Sequence, residues 1–124
     1  MFEISKQFRF DAAHTLDRVI DTESSRRIHG HSYRAEVTVR GRPDPVTGMV
    51  VDLGLLQRSM EEARDGLDHR FLDEVNDLGP ATMENLSRWI WDRLSPVVGN
   101  LHKVSVYRDS GAESCSYWGG DVAA

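Results

Sequence analysis

A chain of 124 residues, 40% hydrophobic and 28% charged, has enough material for one globular domain with its own core but not for two. The net charge of −5 argues against a nucleic-acid partner, because neutralising a phosphate backbone takes an excess of Lys and Arg; a small anionic substrate stays compatible with it. No apolar run approaches the ~18 residues needed to cross a bilayer, the N-terminus lacks the basic start and apolar run of a signal peptide, and the lone Cys115 cannot form an internal disulfide, so the expected setting is the cytoplasm, with no membrane partner.

Residues 2–13 alternate as a half-buried strand does, with Phe2, Ile4, Phe8, Phe10 and Ala12 on one parity, Lys6 the exception, and His14 at the end of that parity. Residues 15–28 are polar and follow neither period, which predicts a loop, and a loop of that length inside a compact domain is more often functional than idle. Residues 31–40 predict a second strand, closed by the turn chemistry of Gly41-Arg42-Pro43-Asp44-Pro45 and Gly48. Met49 to Leu53 predicts a short extended segment, and Asp52 an N-cap for a helix from Leu53 to Asp65 with Leu56, Met60, Ala63 and Leu67 at helical spacing and Gly66 as its stop. After the Gly79-Pro80 turn, Thr82 caps a second helix, Glu84 sits in its first turn, and Leu86, Trp89, Ile90, Arg93 and Leu94 trace its inner face up to Pro96. Residues 102–108 predict a third strand, Ser110-Gly111 a turn, and Glu113 to Trp118 a fourth strand. Two strands, two helices and two strands make an α+β pattern, with both helices on one face of a four-stranded antiparallel sheet. No repeat, linker or low-complexity segment interrupts it, so residues 1–124 are expected to form a single domain.

Two places in this pattern carry candidate chemistry. His29 and His31 share the parity of Tyr33, Ala35, Val37 and Val39, so both imidazoles lean off the face that is to be buried. A hairpin of the first two strands brings His14 to the same end, and three imidazoles with one open position describe a catalytic zinc site, where a structural one closes with four protein ligands. The open position would let Zn2+ polarise a substrate oxygen. Asp68-His69, just past the first helix, is either a solvated loop pair or an acid/base in which the carboxylate orients the ring.

Phe10-Asp11-Ala12-Ala13-His14, His29-Gly30-His31-Ser32-Tyr33, Val50-Val51-Asp52-Leu53, Leu67-Asp68-His69-Arg70-Phe71-Leu72 and Thr82-Met83-Glu84-Asn85-Leu86 with Trp89-Ile90-Trp91 together resemble, over nearly the whole chain and in order, the family of 6-pyruvoyl- and 6-carboxy-tetrahydropterin synthases. The resemblance implies the tunnelling fold, with sheets joining into a trimeric barrel and two trimers stacking into a homo-hexamer. It further implies zinc on His14, His29 and His31, active sites at subunit interfaces, and His69 working with an aspartate, here Asp68, as acid/base on a small-molecule substrate. Thr82 and Glu84 are candidate substrate-binding residues on the same ground.

The chain departs from this family twice. A catalytic cysteine is expected four to six residues before His29, where Glu23, Ser24 and Ser25 stand. A serine hydroxyl cannot shuttle protons as a thiol with a pKa near ~8.5 does, whereas Glu23 is a candidate base. Near the C-terminus the family carries a Glu-Thr pair whose glutamate clamps the pterin, and Arg108-Asp109 takes its place. Asp109 can still accept such hydrogen bonds; Arg108 has donors only and suits a carboxylate. Cys115 is read as structural. Three functions follow: a zinc enzyme diverged to carbonyl-amine condensation or Pictet-Spengler-type cyclisation, a pterin lyase acting on 7,8-dihydroneopterin triphosphate with Glu23 as base and Asp109 as clamp, and a zinc-dependent binding protein without turnover.

Overall fold

The computed structural model describes residues 1–120. Four strands, β1 (Phe2–His14), β2 (His29–Gly41), β3 (Leu101–Arg108) and β4 (Glu113–Tyr117), form one antiparallel sheet in the order β1-β2-β3-β4. Three helices accompany it: α1 (Thr22–Arg26), α2 (Leu53–Asp65) and α3 (Met83–Leu94). The register of β1 on β2 runs unbroken from Phe2 opposite Gly41 to His14 opposite His29. One-residue slippage would turn every apolar side chain to the wrong face, so the alternation seen in the sequence fixes this register.

The inner face of the sheet buries Phe10 and Ala12 from β1, Tyr33, Ala35, Val37 and Val39 from β2, and Val104 and Val106 from β3. Leu56, Met60 and Ala63 of α2 and Leu86, Trp89, Ile90 and Leu94 of α3 close over it in one core, each large side chain contributing about 1.5–3 kcal/mol on burial. Both predicted caps form: Asp52 Oδ1 accepts from the Gly54 and Leu55 amides at 2.8 and 3.3 Å, and Thr82 Oγ1 from the Asn85 amide at 3.1 Å. The opposite sheet face is polar, with Ser5 against Thr38 and Gln7 against Glu36.

Several details differ from the sequence-based expectation. Within 15–28 lies α1, whose five residues are too few to show a helical period. β2 starts at His29 and β3 at Leu101, β4 ends at Tyr117, and the 49–53 stretch forms no strand but bends at residues 50 and 51. Gly66 ends α2 in the right-handed region, at φ −78°. Its lack of a side chain serves space: a Cβ there would stand 2.8 Å from the Trp89 ring. Arg93 is exposed and lays its guanidinium over that same ring at 4.5 Å.

Candidate active site

At the end of the hairpin the strand register puts His14 directly opposite His29, with His31 one pleat further in. Their ligand atoms all lie within 4.8 Å of one another. His14 Nδ1 lies 2.9 Å from the Ala81 carbonyl and His29 Nδ1 2.8 Å from the Arg27 carbonyl. A carbonyl only accepts, so both Nδ1 atoms carry hydrogen and both Nε2 atoms carry lone pairs. Yet those two Nε2 atoms stand 2.9 Å apart. Two lone pairs at that distance repel unless a cation lies between or beside them, and His31 Nε2 offers a third. The donor set therefore fits a divalent metal, with imidazole the ligand type that zinc commonly takes.

Burial favours the neutral form of His14 and His31. Burial lowers the pKa of His14, against the raising effect of its Ala81 bond. Burial lowers that of His31 to about 4, helped by the Arg108 charge and the other two histidines. Neutral imidazoles are the form that binds metal. Tyr33 lies beneath them and burial pushes its phenol up to about 12.

A cavity of about 640 Å³ opens over the three histidines, lined also by Tyr33, Thr82, Glu84, Arg108 and Glu113, with Leu16, Arg18 and Ser25 at the side of the 15–28 segment. Arg108 Nη1 donates to His31 Nε2 at 3.2 Å and Nη2 to Glu113 at 2.7 Å. Thr82 lines the cavity while its hydroxyl oxygen caps α3, and Glu84 lines it from the first turn of that helix.

Two candidates lie elsewhere. Asp109 is on the opposite sheet face, where Arg34 donates to it at 3.0 and 3.1 Å and holds its carboxyl below the usual range. Glu23 points outward, 89% exposed and paired with Arg27 at 3.6 Å, whereas the buried Ser25 is the residue of α1 that lines the cavity. The segment is tied at its base by the Leu16 amide donating to the Ser25 carbonyl at 2.8 Å and by Arg26 on Asp17 at 2.7 Å.

Asp68 and His69 line up on the outer edge of β1. Asp68 Oδ1 takes the Asp11 amide at 2.9 Å, and Oδ2 takes His69 Nδ1 and Arg64 Nη2, each at 3.0 Å. The Asp11 amide, with smaller help from His69 and Arg64, holds the Asp68 carboxyl below its usual range. The His69 backbone is left-handed, at φ 58°, and its amide donates to the Asp11 carbonyl at 2.7 Å. That geometry presents Nε2 outward on a ring 80% exposed. His69 lines a second, shallower concavity of about 450 Å³, and His31 lines both.

Sequence reasoning missed Glu113 and the anchoring of the 67–73 segment to β1. Parity would have found the first: Glu113 shares a strand face with Cys115 and Tyr117 and pairs with Arg108 as they pair with Val106 and Val104. The second had no signal, because the bonds run from backbone to backbone and to one carboxylate.

Residues 3–120 match the family model described as 6-pyruvoyl tetrahydropterin synthase. The chain is 39% identical over 121 residues to the human 6-pyruvoyl tetrahydrobiopterin synthase, covering 85% of this chain and 83% of that one. It is 35% identical over 112 residues to the 6-carboxy-5,6,7,8-tetrahydropterin synthase of Synechocystis, covering 86% and 85%. The structure superimposes on the Caenorhabditis elegans 6-pyruvoyl tetrahydropterin synthase with a TM-score of 0.84, at 28% identity and 96% coverage of each chain. A four-stranded antiparallel sheet under helices, with three histidines gathered at one end, is the α+β tunnelling fold. The chain belongs to the 6-pyruvoyl/6-carboxy-tetrahydropterin synthase family. No helix among the described residues is long and apolar enough to cross a membrane.

Proposed function

We propose that this chain is a zinc-dependent enzyme of its family whose pocket has moved from pterins to a carboxylate-bearing substrate, which it condenses or cyclises in a carbonyl-amine reaction of the Pictet-Spengler type. The observation that carries this reading is Arg108, a side chain with donors only, inside the cavity 3.2 Å from His31. A pterin amino group and ring N–H need an acceptor there; a substrate carboxylate needs the guanidinium.

A zinc ion held by His14, His29 and His31 would supply Lewis acidity toward a carbonyl oxygen. The chain's own residues do the rest. Arg108 orients the carboxylate, and protonated Tyr33 stays a hydrogen-bond donor. In the reaction an amine adds to the carbonyl, water leaves, a ring carbon closes on the resulting iminium carbon, and one C–H proton is released. His69, oriented by Asp68, takes up that proton. Because the His69 ring points out of its own protomer's main cavity, the reading includes a homo-oligomer, a hexamer built as a dimer of trimers, in which a neighbouring copy brings the pair. β1 and β4 are the edge strands of the sheet, β1 being covered at Asp11 and Ala13 by the 68–71 segment; these edges and the exposed Phe2 support such an assembly.

A second reading, a pterin lyase acting on 7,8-dihydroneopterin triphosphate, is favoured by the names of the human and Synechocystis relatives. It asks Glu23 to serve as base and Asp109 as clamp. The experiment that separates the two supplies the zinc-loaded protein with 7,8-dihydroneopterin triphosphate, or with aromatic amino acids and aldehydes, and follows products by mass spectrometry, with His31→Ala as control. The proposal expects a product of amino acid plus aldehyde less one water, and a KM raised by Arg108→Gln for the amino acid but not for its decarboxylated amine. Turnover of the pterin alone overturns it.

A further inference from the structure

In the cavity wall, the hydrogen bonding of Arg108 is incomplete. Its Nε is buried without a partner, the one such side-chain polar atom among the described residues. Its Nη2 is held by Glu113, the cross-strand neighbour. Its Nη1 depends on the lone pair of His31 Nε2. His31 is also one of the three histidines whose ligand atoms lie within 4.8 Å of one another, and in the tautomer that accepts from Arg108 its lone pair is on Nε2.

A single lone pair cannot serve a guanidinium N–H and a cation together. We propose that Arg108 is a metal-released anion receptor: a divalent cation on His14, His29 and His31 takes the acceptor from Arg108, and the freed guanidinium, still tethered by Glu113, recruits a monocarboxylate. With the cation in place, the N–H groups at Nε and Nη1 both lack a protein acceptor, and buried donors left unmade are costly. A positive guanidinium beside a dication also repels it, and an anion relieves both. One negative charge suffices, because Glu113 already offsets part of the charge of Arg108. By linkage, the carboxylate tightens the metal by the same factor as the metal tightens the carboxylate.

This inference rests on Arg108 as the carboxylate partner, but it concerns binding alone and is tested without turnover. Zinc affinity is measured by competition with a chromophoric chelator, with and without benzoate as probe and benzamide as its neutral control. In the parent protein benzoate is expected to tighten zinc by about fivefold or more, and benzamide to leave it unchanged. Calorimetry should find benzoate tighter to the zinc-loaded than to the metal-free protein by the same factor. In Arg108→Gln zinc alone should bind at least as tightly as in the parent, because its competitor is gone, and benzoate should no longer matter. A benzoate effect that persists in Arg108→Gln would put the carboxylate on the metal alone, and weaker zinc binding by that variant would make Arg108 a support for the site; either overturns the proposal, as does an effect from benzamide. Should Arg108→Gln fail to fold, Arg108→Lys asks the same question, since an ammonium lacks the planar fork: a smaller benzoate effect sustains the proposal and an unchanged one overturns it. Aldehyde chemistry that fails while the coupling holds would refute the reaction proposed above and leave the receptor standing.

Discussion

The histidine cluster and the Asp68-His69 pair lie on the same strand end and are built by opposite rules. His14, His29 and His31 point inward, have their tautomers set by backbone carbonyls in two of three cases, and converge within one protomer. Asp68 and His69 hang on the outer edge of β1 through the Asp11 amide and carbonyl, and the ring they present is open to solvent. The first group is complete in itself and ready for an ion. The second is oriented but turns its ring away from the main cavity, into the shallower concavity that His31 also lines.

The largest way to break this contrast is His31→Ala, which removes a ligand outright. Zinc affinity should fall by more than about 100-fold, since even residues behind the ligands are worth 10–100-fold, and metal analysis after dialysis checks it. His69→Ala should do the reverse, leaving zinc content at the parent level while turnover drops about 10²- to 10⁴-fold, the span of general acid-base catalysis. Zinc loss in His69→Ala would erase the division between the two regions.

Asp68→Asn sharpens the contrast in stability. It weakens the Asp11 and Arg64 contacts as well as the hold on His69, and urea denaturation should show a loss of about 1–3 kcal/mol with zinc binding kept. The histidine cluster should show itself through pH instead. Above pH 6.5 His14 and His31 are neutral folded or unfolded; as pH falls from there through about 4, the unfolded chain takes protons that these two buried rings refuse. Stability of the metal-free protein should therefore decline across that window, and less steeply in Arg108→Gln, where one cause of the His31 shift is gone. Denaturation midpoints at several pH values measure both. The smallest effect is expected from Glu23→Gln, whose exposed carboxylate should leave the rate within about twofold of the parent.

Much of this was legible in the sequence because strand parity encodes it. The alternation of β1 and β2 gave the inner face, the hairpin and the meeting of the three histidines, and Asp52 and Thr82 marked their helices because a cap is a local bond. Which of Arg108 and Asp109 faces the pocket was left open by the sequence; the structure turns Arg108 into the cavity and Asp109 to Arg34 on the other face. What was not legible depends on contacts between distant segments. Gly66 looked like a left-handed stop and is a gap for Trp89. Glu23 and Ser25 could not be ranked, since a helix of five residues leaves no pattern to say which of them faces inward.

The tie between Leu16 and Ser25 has an evolutionary consequence. Because the base of this segment is already joined by its own backbone bond, the residues between can lengthen, shorten or change without disturbing the hairpin, and extra length costs little in closure entropy. The segment carries Val19 and Ile20 bare at its tip and Arg18 at the pocket rim. A change of length or side chain in this stretch of the pocket wall would therefore leave the histidines where the strands hold them.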